Sequence, residues 1–392
     1  MSTTSPRGIT PPHKWARPGR FSDLTRPVPK PLSIGRAGGI DLAPLQVGPV
    51  ANAEWSRDRH LVSSAPAIDS EAPDARRYEM LRQSGNFTMA FATLQPGMKY
   101  FEAHDGYVAY DTYWGINFVL GDPVAPLLRY SDLIGDFLKQ HPRSCFCQIS
   151  APVGAILARH GYFVNEFGSD IELYLPSYDF EGPKKSKFRQ AAHKIERESY
   201  TIEEGFFGDA DHQAIEALSS SWRSTKTVKQ EARFLVRPLA FGDEPDVRKV
   251  CLRAPDGHIA AFVVFDPIYE DGQVVGYSPA IKRRASEAPT GAEEAITKFA
   301  IERFRDEGMT TFRLGLLPLH NVEKSAFRDS RLLRAFFQWL YCHGDRCVYS
   351  FRGHADFKHR YRGSVRKVYF GTYTSWGNTL NLIALLRLCR FV

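Results

Sequence analysis

The chain has 392 residues, 43% of them hydrophobic and 24% charged, with a formal net charge of +7. This length and apolar content allow two or three domains with sizeable cores. No run of about 18 apolar residues occurs, and residues 1–30 lack an apolar stretch, so neither a membrane-spanning helix nor a secretory leader is expected.

The mild basicity fits an anionic partner such as RNA or acidic lipid headgroups, and fits equally an ordinary soluble protein with a basic tail. The cysteines Cys145, Cys147, Cys251, Cys342, Cys347 and Cys389 form no CxxC pair and no zinc-ligand spacing. Cys342 and His343 with Cys347 are only a weak metal hint, and no metal is expected. A reducing compartment follows, and the chain is expected to be cytoplasmic unless recruited to the inner face of the plasma membrane.

Residues 1–75 are rich in Pro, Gly, Arg and Ala without sustained periodicity, and read as disordered or loosely docked. Order is predicted to begin with a helix near Ala75 that leads to Ser84-Gly85-Asn86-Phe87. Strands are predicted over 99–102, 106–112 and 114–120, the last ending at Gly121-Asp122-Pro123-Val124. A helix over 133–139 and a strand over 145–149 follow. Cys145, Phe146 and Cys147 alternate as a buried strand would, so core thiols are expected there. A helix over 153–159 closes at His160-Gly161, and 171–175 reads as a strand.

A basic helix is predicted over 184–198. The alternation then resumes with a helix over 211–225, strands over 247–253, 259–268 and 273–278, and a helix over 292–307. A strand over 311–315 leads to Pro318-Leu319-His320-Asn321, followed by a helix over 331–341 and a strand over 346–351. The two halves share one rhythm, several antiparallel strands and then helix, strand, helix, strand. That predicts a tandem duplication of one α+β unit.

Four segments can carry chemistry. In the basic helix, Phe188, Ala191, Ala192 and Ile195 make one apolar stripe, while Lys184, Lys187, Lys194 and Arg197 lie off it. Such a face suits a phosphate backbone; it also suits solvent, with Glu196 and Glu198 as partners. Pro183 fits the first turn. At the second segment, Thr290 can cap a helix whose start at Gly291 leaves backbone N–H groups open to a pyrophosphate, although an ordinary helix start reads the same way. In the third, Glu323 sits in a loop after Pro318, placed to bind a cationic amine, to act as a base, or to be solvated. The fourth runs from Tyr349 to Tyr361 and reads as a strand breaking at Gly353, then a basic aromatic turn. Lys358, between Phe357 and Tyr361, reads as a positioned cation able to stabilise an oxyanion; a plain surface lysine is the other reading. No Ser-His-Asp order, nucleophile elbow, P-loop or HExxH is present, so direct attack by a bound nucleophile is the simpler chemistry.

Taken in order from Asn86 to Tyr373, these segments resemble the C-terminal domain of the phosphatidylglycerol lysyltransferase family. The resemblance rests on the Gly121 to Val124 turn and on the helix carrying Lys184, Arg189 and Lys194. It continues through Ser221-Trp222, Phe262 to Tyr269 and Phe312 to Leu319, and ends on the Tyr349 to Tyr361 segment. It implies an α+β fold of two tandem acetyltransferase-like domains with central mixed sheets. On that reading 76–182 and 200–373 are the two domains, 183–199 is the basic linking helix, and 374–392 is an apolar tail that either lies in a membrane interface or docks as a helix on the second domain.

The implied activity is transfer of an aminoacyl group from aminoacyl-tRNA to a membrane lipid such as phosphatidylglycerol. The tRNA is a co-substrate, no further cofactor is implied, and an anionic phospholipid or membrane surface is the other partner. Lys358 and Glu323 are the catalytic candidates. Arg189, Lys184, Lys187, Lys194, Asp122 and Tyr361 are the substrate-binding ones, and Thr290 and Gly291 are kept for a cofactor. The alternatives are an acyl-CoA-dependent N- or O-acyltransferase, or a non-catalytic relative that binds acidic lipid or tRNA. Where the family has an Asp-x-x-Arg motif, this chain reads Val275-Gly276-Tyr277-Ser278-Pro279, without either charge.

Overall fold

The structure, a computed structural model, describes residues 73–205, 209–224, 231–241, 244–344, 350–375 and 378–391. The N-terminal stretch expected to be disordered or loosely docked therefore lies, up to residue 72, outside the described residues. The first described element is a helix, α1 (Pro73–Ser84).

A first run of elements follows: β1 (Lys99–Ala103), β2 (Gly106–Tyr113), β3 (Ile116–Leu120), α2 (Tyr130–Gln140), β4 (Ser144–Ile149), α3 (Ala151–Arg159) and β5 (Phe163–Tyr174). Then come α4 (Ser186–Arg197), β6 (Thr201–Glu204) and α5 (Asp209–Ser224). A second run begins with β7 (Arg248–Arg253), β8 (Ile259–Glu270), β9 (Gln273–Arg284), α6 (Ala292–Asp306) and β10 (Thr311–Pro318). It ends with α7 (Arg331–His343), α8 (Phe351–His359), β11 (Ser364–Thr372) and α9 (Asn378–Leu388).

The described strands join in one eleven-stranded mixed sheet, ordered β1-β2-β3-β4-β11-β5-β10-β9-β8-β7-β6. Each run is an antiparallel meander whose third strand is followed by a helix and a parallel neighbour: β3 with β4 across α2, and β9 with β10 across α6. A parallel pair needs such a crossover, because a tight turn can only reverse the chain. The expected repeat is visible in this arrangement. The chain positions hid an exchange. The last strand of the first run, β5, pairs with β10 of the second, and the last strand of the second, β11, lies between β4 and β5.

Burial explains most elements. β8 is apolar at nearly every position and buried at all but its last residue, as a strand covered on both faces must be. In α4, Phe188, Ala191 and Ile195 are buried and pack with Ala292, Ala295 and Ile296 of α6. Cys145 and Cys147 are core thiols, as their alternation predicts.

Three expectations change. Most of the strand expected over 346–351 lies outside the described residues, and from Phe351 the chain is the helix α8. Its buried residues Phe351, Ala355 and Lys358 recur at helical spacing, and that stripe outweighs the strand preference of the aromatics. The strands β6 and β11 were missed. The tail is the helix α9, whose Leu382, Ala384, Leu385 and Leu388 pack on Phe118, Leu120, Cys145 and Cys147. The same cluster includes Leu333 and Phe337 of α7 and Phe370 of β11, so α9 shares a core with both runs, and Leu380 and Ile383 are left on its outer side. No described helix is long and apolar enough to cross a membrane.

Candidate active site

The exchange brings β5 beside β10 at the middle of the sheet, and there the ladder breaks. Arg313 pairs with Glu172, but Leu316 rather than Gly315 pairs with Asp170. Leu314 and Gly315 thus oppose Ile171 alone, which is a β-bulge. Gly315 has φ +79°, a conformation open to glycine and strained for other residues. The bulge re-aims the next carbonyl, and the Leu316 oxygen accepts a hydrogen bond from Lys358 Nζ at 2.9 Å.

Lys358 reaches this point from α8. Its side chain is buried, and the residue is 5% exposed. Removal from water pushes its amine down to about 7; neighbouring Lys282 pushes the same way and Asp170 opposes it. A Cβ placed on Gly315 would lie 3.5 Å from that amine and 4.0 Å from Thr88 Cγ2, so Thr88 and Lys358 flank the bulge. Thr88 donates its hydroxyl to Asp170 Oδ2. One turn before Lys358, His354 is pushed down to about 2 by burial and by the two lysines. Lys282, on β9, sits 5.0 Å above the Phe357 ring and is also held below the usual lysine range by desolvation. Beside them Arg313 donates to Glu172 Oε2 at 2.8 Å and to Asn86 Oδ1 at 2.7 Å, and Arg366 takes the other Glu172 oxygen at 2.7 Å.

Of the residues singled out in the sequence, Lys358 alone lies at this junction. Glu323 is exposed on the segment after β10, where its backbone N–H donates to Glu166 Oε2 at 2.8 Å. Asp122 is buried at the end of β3; its Oδ1 accepts the Ser150 N–H at 2.8 Å where α3 begins, and burial pushes its carboxyl up to about 6. Tyr361 is a core residue, fully buried with its ring 4.5 Å from that of Phe188.

The basic helix divides in two. Lys184, Lys187 and Arg197 are exposed and make no ion pair with another described residue. Lys194 lies 3.9 Å from Glu198. Arg189 donates to the carbonyls of Phe180 and Gly182, the latter at 2.9 Å, so it ties down the turn that precedes the helix. Arg189→Ala should therefore destabilise the fold by about 1–2 kcal/mol, and Arg189→Lys should not restore it, because a single ammonium cannot span both carbonyls. Urea melts of the three proteins check this.

The expected pyrophosphate cradle does not form. Gly291, not Thr290, takes the position before the first turn of α6, with no side-chain cap. A Cβ there would come within 2.8 Å of Ala191, so α4 covers the turn. Glu293 and Glu294 fill the first turn of α6, and Arg360 approaches Glu294 at 3.3 Å. Carboxylates already answer the helix dipole there, and an anion would meet like charge.

The strand that lacks charge over 275–279 continues as β9 to Arg284, and its later residues are cationic. Besides Lys282, Arg283 donates to Glu231 at 3.0 Å and stacks 4.1 Å over Trp222. A cleft of about 390 Å³ bordered by Glu216, Ser219 and Phe241 is lined by none of the residues around Lys358.

Thr88, Asp170, Lys282 and His354 were missed in the sequence. They lie on separate elements, and the only local signal was the glycine inside the strand at Gly315. Chemically, the junction offers an amine near half-protonation at neutral pH, in a dry place and oriented by a carbonyl. Such a group can take a proton from a hydroxyl and return it.

The family described as phosphatidylglycerol lysyltransferase, C-terminal, matches residues 78–371. The phosphatidylglycerol lysyltransferase of Bacillus subtilis is 27% identical over 262 residues, 64% of this chain and 29% of that protein. An uncharacterised protein of Corynebacterium glutamicum is 22% identical over 280 residues, 66% of this chain and 34% of that one. The chain spans about a third of the length of these curated relatives. Among solved structures, L-PGS from Bacillus licheniformis superposes with a TM-score of 0.69 at 22% identity, covering 81% of this chain and 96% of the other. That likeness establishes a shared α+β fold.

Proposed function

Because the chain belongs to the family of phosphatidylglycerol lysyltransferase C-terminal domains, we propose that it transfers an aminoacyl group from a charged tRNA to the hydroxyl of a membrane lipid such as phosphatidylglycerol. The observation that carries this reading is the buried Lys358 amine, held at the sheet bulge by the Leu316 carbonyl and lowered to about 7. An amine so poised suits general base work better than the fixed positive charge that the sequence suggested.

In the proposed step the acceptor hydroxyl oxygen attacks the ester carbonyl carbon while neutral Lys358 takes the hydroxyl proton. The tetrahedral intermediate then breaks its bond to the tRNA ribose oxygen, and the lysine ammonium returns that proton to the leaving oxygen. The new ester is on the lipid and the amine is neutral again. The tRNA ester supplies the activation, so the step needs no separate cofactor. Lys184, Lys187 and Arg197 offer the tRNA an exposed cationic face, and work at a lipid surface makes the protein membrane-peripheral.

The test is incubation of the protein with each labelled aminoacyl-tRNA and phosphatidylglycerol vesicles. RNase-sensitive label in the lipid fraction is the expected result. No label in lipid with any amino acid overturns the reading. In the same assay the triple variant Lys184→Glu, Lys187→Glu, Arg197→Glu should weaken tRNA binding at least about tenfold and flatten the salt dependence of the binding constant by about two to three log units per log unit of salt. Filter binding across a salt series measures both.

A further inference from the structure

We infer that Asp170 receives the α-ammonium group of the transferred aminoacyl unit and so makes the enzyme selective for a free α-amine. This rests on the acyl-transfer reading above and specifies its donor.

Asp170 lies on β5 opposite Leu316, the first pair after the bulge, so its carboxylate stands at the junction where the Leu316 carbonyl holds Lys358. One oxygen, Oδ2, accepts the Thr88 hydroxyl. The other, Oδ1, is shut off from solvent and has no hydrogen-bond partner among the described residues. A carboxylate offers about four lone-pair sites, and stripping an oxygen of water without a replacement donor costs about 1–3 kcal/mol or more.

The two cations within electrostatic reach are Lys358 and Arg313, and neither donates to this oxygen. The Lys358 amine goes to Leu316, and the Arg313 guanidinium goes to Glu172 and Asn86. Burial pushes the Asp170 carboxyl above the usual aspartate range despite the Thr88 hydroxyl, both cations and the Ile171 backbone N–H. A further small cationic donor would satisfy the orphan oxygen and its charge together.

An α-amino ester carries such a group two bonds from its reacting carbonyl carbon. Anchored on Asp170, it leaves that carbonyl beside the Lys358 amine, where the hydroxyl proton must go. Gly315 places no side chain at the point that lies 3.5 Å from the Lys358 amine and 4.0 Å from Thr88 Cγ2. Selectivity of this kind ignores the amino-acid side chain and reads the α-nitrogen alone. An N-acylated unit, lacking the charge, leaves Asp170 Oδ1 buried and unpaired, and a site built around a buried polar group discriminates strongly against analogues that fail to pair with it.

The experiment charges one tRNA with one amino acid, acetylates half of it on the α-nitrogen, and measures kcat/KM for transfer to phosphatidylglycerol vesicles from each form. The wild type is expected to favour the free amine at least about 30-fold. Asp170→Asn should lose about that factor on the free amine and less than about threefold on the acetylated form, so that selectivity collapses. Equal use of both forms by the wild type overturns the inference without any variant and leaves the transfer reading intact. An Asp170→Asn variant that slows both forms equally also overturns it, since that is the signature of a structural or Lys358-supporting role. Transfer from neither form overturns the acyl-transfer reading, and this inference with it.

Discussion

Replacing Lys358 by Met is expected to lower aminoacyl transfer about a thousandfold or more while leaving the protein at least as stable at pH 7. The rate effect follows from position. The amine reaches the bulge from α8, is held at 2.9 Å by the Leu316 carbonyl, and is almost wholly buried there. The stability effect follows from burial. The amine falls from 10.5 to about 7 in the folded protein, so between those values the unfolded chain binds more protons than the native one. Stability carried by this group therefore rises as pH rises from about 7 to 10.5, and the full penalty of the buried charge is felt below 7. Methionine keeps the stem and removes the penalty, so its melting temperature should equal or exceed that of the wild type at pH 6–7, with a flatter profile up to pH 10. In the wild type, kcat/KM should rise with pH through an inflection near 7. Arginine cannot lose its proton, so Lys358→Arg should stay below about a tenth of wild-type activity. A rate that falls as pH rises through 7, or an arginine variant near full activity, would show that a fixed cation is what the reaction uses.

Gly168→Ala is expected to destabilise the fold by about 3 kcal/mol or more, or to prevent folding. Gly168 lies on β5 between β10 and β11, paired with Pro318 of β10 on one side and Val368 of β11 on the other. Its φ is +143°, and a Cβ there would run into the Leu317 carbonyl oxygen and lie 3.0 Å from the Leu319 nitrogen. Both obstacles are backbone, so no side chain can swing aside. The central strands would have to part, and overpacking adds to the strain of a left-handed residue. Gly205→Ala is the control, because a Cβ there meets no described residue within 4 Å and φ is not in the left-handed region; its effect should stay within about 0.5 kcal/mol. Thermal and urea melts of both variants measure the difference. A Gly168→Ala protein as stable as the control would mean that the junction of the two runs is far more pliable than its register implies.

Much of the architecture was legible along the chain. The period-2 and continuous apolar runs marked most strands, and the stripe of Phe188, Ala191 and Ile195 marked α4 together with the face it buries. β11 escaped because its first half, Ser364-Val365-Arg366-Lys367, is largely exposed and charged, and only Tyr369, Phe370, Gly371 and Thr372 are buried. α8 was read as a strand and turn because its aromatics favour strands, whereas the packing of Phe351, Ala355 and Lys358 on one face is what holds it helical.

By itself the sequence marked most of the segments that become helices and strands, showed their shared rhythm, and singled out Lys358 as a candidate. Those properties depend on neighbours a few positions apart, where local period and residue type suffice. The tertiary structure alone decided the exchange of β5 and β11, the partnering of each cation, and the orphan oxygen of Asp170. Lys184 and Lys358 are the same residue type in equally basic segments, yet one is exposed and the other is buried with its amine pushed down to about 7. The physical reason is desolvation. Whether a charge keeps its water is set by what surrounds it, and here Leu316 and Asp170, which lie far away in the chain, meet Lys358 only once the sheet is assembled.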